Sequence, residues 1–134
     1  MKNSRSHKAL KTFIQDTLGC GCPVKVFEKI NVDKHRVQGY PGGLTRIVVG
    51  NTLLIYIAHA AEKESWEESV EAIGLAGKVD RDQNKYNRFR LVVAQAGNGF
   101  QSDSISDKFS RAFGSDAKMH IHFVSEELVK GLGF

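Results

Sequence analysis

Residues 45–58 read Thr-Arg-Ile-Val-Val-Gly-Asn-Thr-Leu-Leu-Ile-Tyr-Ile-Ala, and this stretch decides the fold. Thr45 to Val49 and Thr52 to Ala58 are rich in β-branched and apolar residues, the composition of a pleated, half-buried surface. Between them Gly50-Asn51 supplies two residues at ease in the left-handed conformation that a tight hairpin turn demands. The stretch therefore predicts a hairpin and commits the chain to a sheet.

Upstream, Gly39-Tyr40-Pro41-Gly42-Gly43 reads as a loop, and Ile30 to Val37 alternates weakly, as a strand does. Leu10, Phe13, Ile14, Thr17 and Leu18 follow the spacing of a buried helical stripe that stops at Gly19. Val24 to Lys29 suits one further helical turn. Downstream, Ser65 and Glu68 form a capping box ahead of Trp66, Val70 and Ile73, which predicts a helix ending near Gly77 and a polar loop from Lys78 to Asn87. Phe89 to Gln95 is a strand, broken by Ala96-Gly97-Asn98-Gly99. Ile105, Phe109, Ala112 and Phe113 mark a helix capped at Ser102 or Ser104 and stopped at Gly114, Met119 to Val124 a last strand, and Glu126 to Leu132 a short terminal helix. This order predicts an α/β (or α+β) fold: one domain over residues 1–134, a layered sandwich with a mixed sheet of about five strands and helices packed on it. Strand order does not follow from it.

Composition removes several classes. The 134 residues, 41% hydrophobic and 25% charged, suffice for a globular core. Two cysteines one residue apart cannot close a large loop, so they are no secreted disulfide framework, and a reducing cytoplasmic setting is expected. Met1 to Lys11 is polar and basic, without the apolar run of a signal peptide, and nowhere do ~18 apolar residues run together as a membrane span requires. A net charge of +4 is mild and argues only for tolerance of anionic partners.

Two constellations carry chemistry. In the first, alternation along three strands sets Arg46, Arg88, Arg90, His120 and His122 opposite apolar rows, so strands in phase would gather all five on one cationic face. Arginine forks beside imidazoles suit phosphate or carboxylate, which points to an anion-, nucleotide- or RNA-binding module, with Tyr86 as a stacking ring and Asp80 and Asp82 offsetting part of the charge. The plain alternative is a sheet face that meets water.

The second is Cys20-Gly21-Cys22-Pro23. Pro23 suits the first position of a helix, which makes Cys22 its N-cap and the more acidic thiol, since the positive helix end favours thiolate. Flanking glycines at 19 and 21 free the backbone to approach a ligand or ion. A thiol-dependent redox or metal-binding protein centred on Cys20 and Cys22 follows. His120 and His122 stand about 7 Å apart along one strand and would complete a Cys2His2 set suited to zinc. Against this stands the ordinary role of cysteine as a small buried hydrophobe.

His120-Ile121-His122-Phe123 resembles part of the histidine-triad hydrolase motif, in which histidine alternates with apolar residues three times along a strand. Val124 stands at the third alternate position, so the resemblance lacks a member that nucleotidyl transfer in that family needs. No phosphate loop, nucleophile elbow or H-E-x-x-H helix occurs in the chain. An interaction protein with no small-molecule site fits the same residues.

Overall fold

The structure, a computed structural model, describes residues 12–14, 30–37, 40–60, 66–95, 102–116 and 118–131. Five strands, β1 (Ile30–Val37), β2 (Tyr40–Val49), β3 (Leu53–Ala60), β4 (Arg88–Gln95) and β5 (Met119–Ser125), form one sheet in sequence order. Among the described residues α1 (Trp66–Asn84), α2 (Ser102–Phe113) and α3 (Glu126–Gly131) connect or follow them. β1, β2 and β3 are an antiparallel meander, whereas β3, β4 and β5 pair in parallel. The expected α/β class and mixed sheet are what the chain adopts.

The hairpin forms as the turn residues dictate. Gly50 and Asn51 lie at φ 57° and 56°, and Thr52 N–H donates to the Val49 carbonyl at 3.1 Å. Two successive left-handed residues match the twist of the flanking strands, which fixes β2 against β3 from Val49↔Leu53 to Thr45↔Ile57. The loop expected at Gly39 to Gly43 is shorter than composition suggests, because β2 already begins at Tyr40, paired with Val37 after a register shift in β1. Pro41 is tolerated there because it precedes the part of β2 that pairs with β3.

Alternation divides the sheet into two buried faces. Leu54, Tyr56, Phe89, Leu91, Val93 and Met119 meet Val70, Ile73, Ile105, Phe109 and Phe113 of α1 and α2. Ile47, Val49, Leu53, Ile55, Ile57 and Val92 face the other way, against Phe13, Ile14 and Val129. β3 is therefore apolar at nearly every position, as a strand covered on both sides must be. The chain runs β3–α1–β4–α2–β5 in one direction across the sheet, and crossovers of one hand then set both helices on one face.

The helix expected to end near Gly77 runs to Asn84, and the polar loop expected from Lys78 begins only at Lys85. Gly77 does not stop the helix because its missing side chain is needed for packing: a Cβ there would lie 2.4 Å from the Phe89 ring. Lys85 makes the stop instead, at φ 60°, with Tyr86 N–H donating to the Arg81 carbonyl at 2.9 Å in a Schellman arrangement. β4, α2, β5 and α3 keep their expected places, although Ala112 is exposed and the buried stripe of α2 is Ile105, Phe109 and Phe113; Ser65 of the capping box and the break at 96–99 lie outside the described residues. Of the helix expected from Leu10 to Leu18, Thr12–Ile14 is helical, with Phe13 and Ile14 buried. The turn expected at Val24 to Lys29 lies outside the described residues.

Candidate anion site on the sheet

β4 and β5 build the site. They pair in parallel with Arg90 beside His120 and Val92 beside His122, so Arg88, Arg90, His120 and His122 point to the same face, opposite α1 and α2. Their burial differs sharply. Arg88 and His120 are exposed, His122 is half-buried, and Arg90 is only 8% exposed. Arg90 reaches diagonally across the pair, its Nη1 3.3 Å from His122 Nε2, while its Nε is buried with no hydrogen-bond partner among the described residues.

Electrostatics assigns the protons. Burial, followed by the charges of Arg90 and His120, pushes His122 down to about 4. The imidazole is therefore neutral at pH 7, and Nε2 accepts from the Arg90 guanidinium, which puts the ring hydrogen on Nδ1. Burial and the neighbouring Arg88 also lower Arg90, and no carboxylate among the described residues forms an ion pair with it. A guanidinium remains charged nonetheless, so a buried cation stands here beside a second cation and a neutral histidine. Such a group costs several kcal/mol unless an anion reaches it.

Arg46 does not belong to this site, contrary to the expectation of one shared cationic face. It pairs with Tyr56 across β2 and β3, and Tyr56 faces α1. Ile55, one residue earlier, is the neighbour of Arg90. The strands alternate as expected, but the register sets Arg46 in the opposite phase, and one residue of register exchanges the faces. On the α1 side Arg46 is fully matched: Nε and Nη2 donate to Asp80 at 2.7 and 2.9 Å, and Tyr56 Oη donates to the same carboxylate at 2.6 Å. Burial alone would raise the Asp80 carboxyl, but the bonds from Arg46, Tyr56 and Asn84 outweigh it and hold the group below its ordinary value. Tyr86, expected as a stacking ring on the cationic face, lies under Arg46 instead, with the guanidinium carbon 5.9 Å from its ring centre. Asp82 binds Arg81, which also donates to Asp116 at 2.7 Å.

Cys20 and Cys22 lie outside the described residues, and so do the thiol reading and the sulfur half of the Cys2His2 set. Among the described residues no group of three or more His, Cys, Asp and Glu is gathered to hold an ion. His120 and His122 stand on one face as expected, but His122 Nε2 is already engaged by Arg90. No helix among the described residues is long and apolar enough to cross a membrane. The pairing of Arg46 with Asp80 went unread in the sequence, since a register and a crossover helix bring together residues 34 positions apart. Comparison with protein-family models, with curated proteins and with solved structures finds no match, so the site is judged on its geometry alone.

Proposed function

We propose that this chain is a binding module for a small ligand bearing a phosphate or carboxylate, held on the β4–β5 face by Arg90 and Arg88, with His120 and His122 beside them. The observation that carries the reading is the buried Arg90 guanidinium without a carboxylate partner among the described residues. An anionic oxygen accepting from Nε would meet the unmatched donor, and a charge-assisted bond of that kind is about twice as strong as a neutral one. Arg88 and His120, both exposed, are positioned to contact the outer part of the same ligand. No catalytic step is required.

A small ligand is favoured over RNA for two reasons. The ring expected to stack on bases, Tyr86, belongs to the other face, and the net charge of +4 is modest for a chain that tracks a phosphate backbone. The thiol-dependent reading at Cys20 and Cys22, with zinc as the ion a Cys2His2 set would take, is a separate proposal, tested by metal analysis of protein purified under reducing conditions.

The test is a titration of inorganic phosphate, nucleotides and short RNA against the wild type and the Arg88→Ala/Arg90→Ala variant at two ionic strengths. Saturable binding of phosphate or nucleotide, lost in the double variant, supports the module. Binding of RNA alone, with a steep salt dependence, would replace the small-ligand reading by a polynucleotide one. No saturable binding in the wild type eliminates the anion site.

A further inference from the structure

On the opposite side of the sheet a cleft of about 730 Å³ opens between β1, β2 and α1, within the range of small-molecule sites. One wall is an apolar stripe of α1, Ala72, Leu75, Ala76 and Val79, at the i, i+3, i+4, i+7 spacing of a helix face. Leu75 and Val79 are 57% and 45% exposed, so this stripe is not spent on the sheet. Across the cleft stands the His35 ring, tilted at 43° to the fully buried ring of Tyr56 with centroids 5.4 Å apart. The walls thus present aliphatic carbon on one side and an imidazole ring on the other.

The polar end is acidic. Among the described residues lining the cleft, two carboxylates, Asp33 and Asp80, stand against one guanidinium, Arg46, in a chain whose net charge is +4. Asp80 has no capacity to spare, because its oxygens already accept from Arg46, Tyr56 and Asn84. Asp33 does: its side chain is 61% exposed and meets Arg46 only at 3.6 Å. The His35 ring and the Gln83 amide also line the cleft, and each can both donate and accept. We infer that this cleft is a second binding site, independent of the anion site, for a small aromatic cation whose ring lies between the Leu75–Val79 stripe and the His35 ring and whose amine donates to Asp33. The site selects by charge, since among the described lining residues Asp33 is the charged group with capacity to spare and the one guanidinium is already paired.

The experiment uses tryptamine as the aryl-ammonium probe and indole-3-acetate as the anion of the same ring. Binding to the wild type, Asp33→Asn and Leu75→Asp is followed by calorimetry and by the methyl signals of Leu75 and Val79. Both substitutions fall at exposed side chains, and their folding is checked by circular dichroism. Tryptamine should bind saturably and shift both methyl signals, with indole-3-acetate weaker by about tenfold, the equivalent of one modest charge contact. Asp33→Asn should bring the two ligands to within about threefold of each other, and Leu75→Asp should weaken indole-3-acetate most, through loss of the apolar wall and added negative charge. Absence of saturable tryptamine binding, or equal affinity for the two ligands in the wild type, overturns the inference. So does saturable binding that leaves the Leu75 and Val79 signals unmoved. None of these outcomes bears on phosphate binding at Arg90, which lies across the sheet.

Discussion

Two arginines on opposite faces of one sheet have been treated in opposite ways. Arg46, facing α1, is held by a carboxylate whose other bonds come from Tyr56 and Asn84, so that each charged group in the cluster has a counterpart. Arg90, facing away from α1, is more deeply buried and has a histidine for a neighbour, with no carboxylate among the described residues. Folding accounts for the first arrangement, because the Arg46–Asp80 pair ties β2 to α1. The second places a desolvated cation beside a neutral histidine, with no carboxylate among the described residues to match it. We read that difference as one between a structural ion pair and the proposed binding group.

Mutation should expose the difference as an asymmetry. Asp80→Ala leaves Arg46 and Tyr56 Oη without their acceptor in a cluster whose charged side chains are 17% and 12% exposed, and should cost about 3 kcal/mol in chemical denaturation. Arg46→Met should be destabilising for the reciprocal reason, since it strands Asp80. Arg90→Met, measured without added anions, should be neutral or stabilising by up to about 1 kcal/mol, because it replaces an unmatched buried charge by an apolar chain of similar length. Equal losses for Arg46→Met and Arg90→Met would erase the comparison.

The helix face is also the less forgiving in shape. Gly77→Ala improves helix propensity, yet its Cβ would meet the fully buried Phe89 ring at 2.4 Å, and a net loss of about 2 kcal/mol is expected. Gly74→Ala meets Phe113, which is 6% exposed at the end of its helix and freer to turn aside, so the loss should be smaller. A stabilising Gly77→Ala would show that the α1–β4 contact is looser than described.

A further difference should appear with pH, and the two faces should respond in different windows. His122 falls from 6.5 to about 4 on folding, mainly through burial, so the unfolded chain binds its proton more readily. The stabilising contribution of the neutral histidine is complete above pH 6.5 and is lost as pH falls toward 4. Asp80, lowered from 3.8 by its bonds to Arg46 and Tyr56 against the opposing effect of burial, contributes above that value and loses its contribution only on further acidification. His122→Gln should flatten the stability profile between pH 6.5 and 4 and leave the more acidic limb unchanged. A profile identical to wild type in that interval would show that His122 is not buried as described.

These predictions rest on features that were unequally legible in the sequence. Element type could be read wherever the signal was local: Gly50-Asn51 named its turn, and Ile105, Phe109 and Phe113 named their helix. Gly77 misled, since a glycine that ends a helix and one that admits a neighbouring ring look alike until the ring is placed. Lys85 carried no warning, because a left-handed lysine has the same letter as any other. Arg88, Arg90, His120 and His122 were grouped correctly by alternation within two neighbouring strands. Arg46 was not, for alternation fixes the faces of one strand and only register joins them to the next. The cleft beside α1 was invisible for the same reason, assembled from β1, β2, β3 and a crossover helix.

The central claim is that Arg90 is kept for an anion. Its most direct measurement is the unfolding midpoint of wild type and Arg90→Met with and without inorganic phosphate, with ionic strength held constant by chloride. A ligand that binds only the native state stabilises it by about 2.7 kcal/mol at 100 times its dissociation constant. The account predicts that phosphate raises the wild-type midpoint in a saturable way and leaves Arg90→Met unmoved. Equal shifts in both proteins, or none in the wild type, would contradict it.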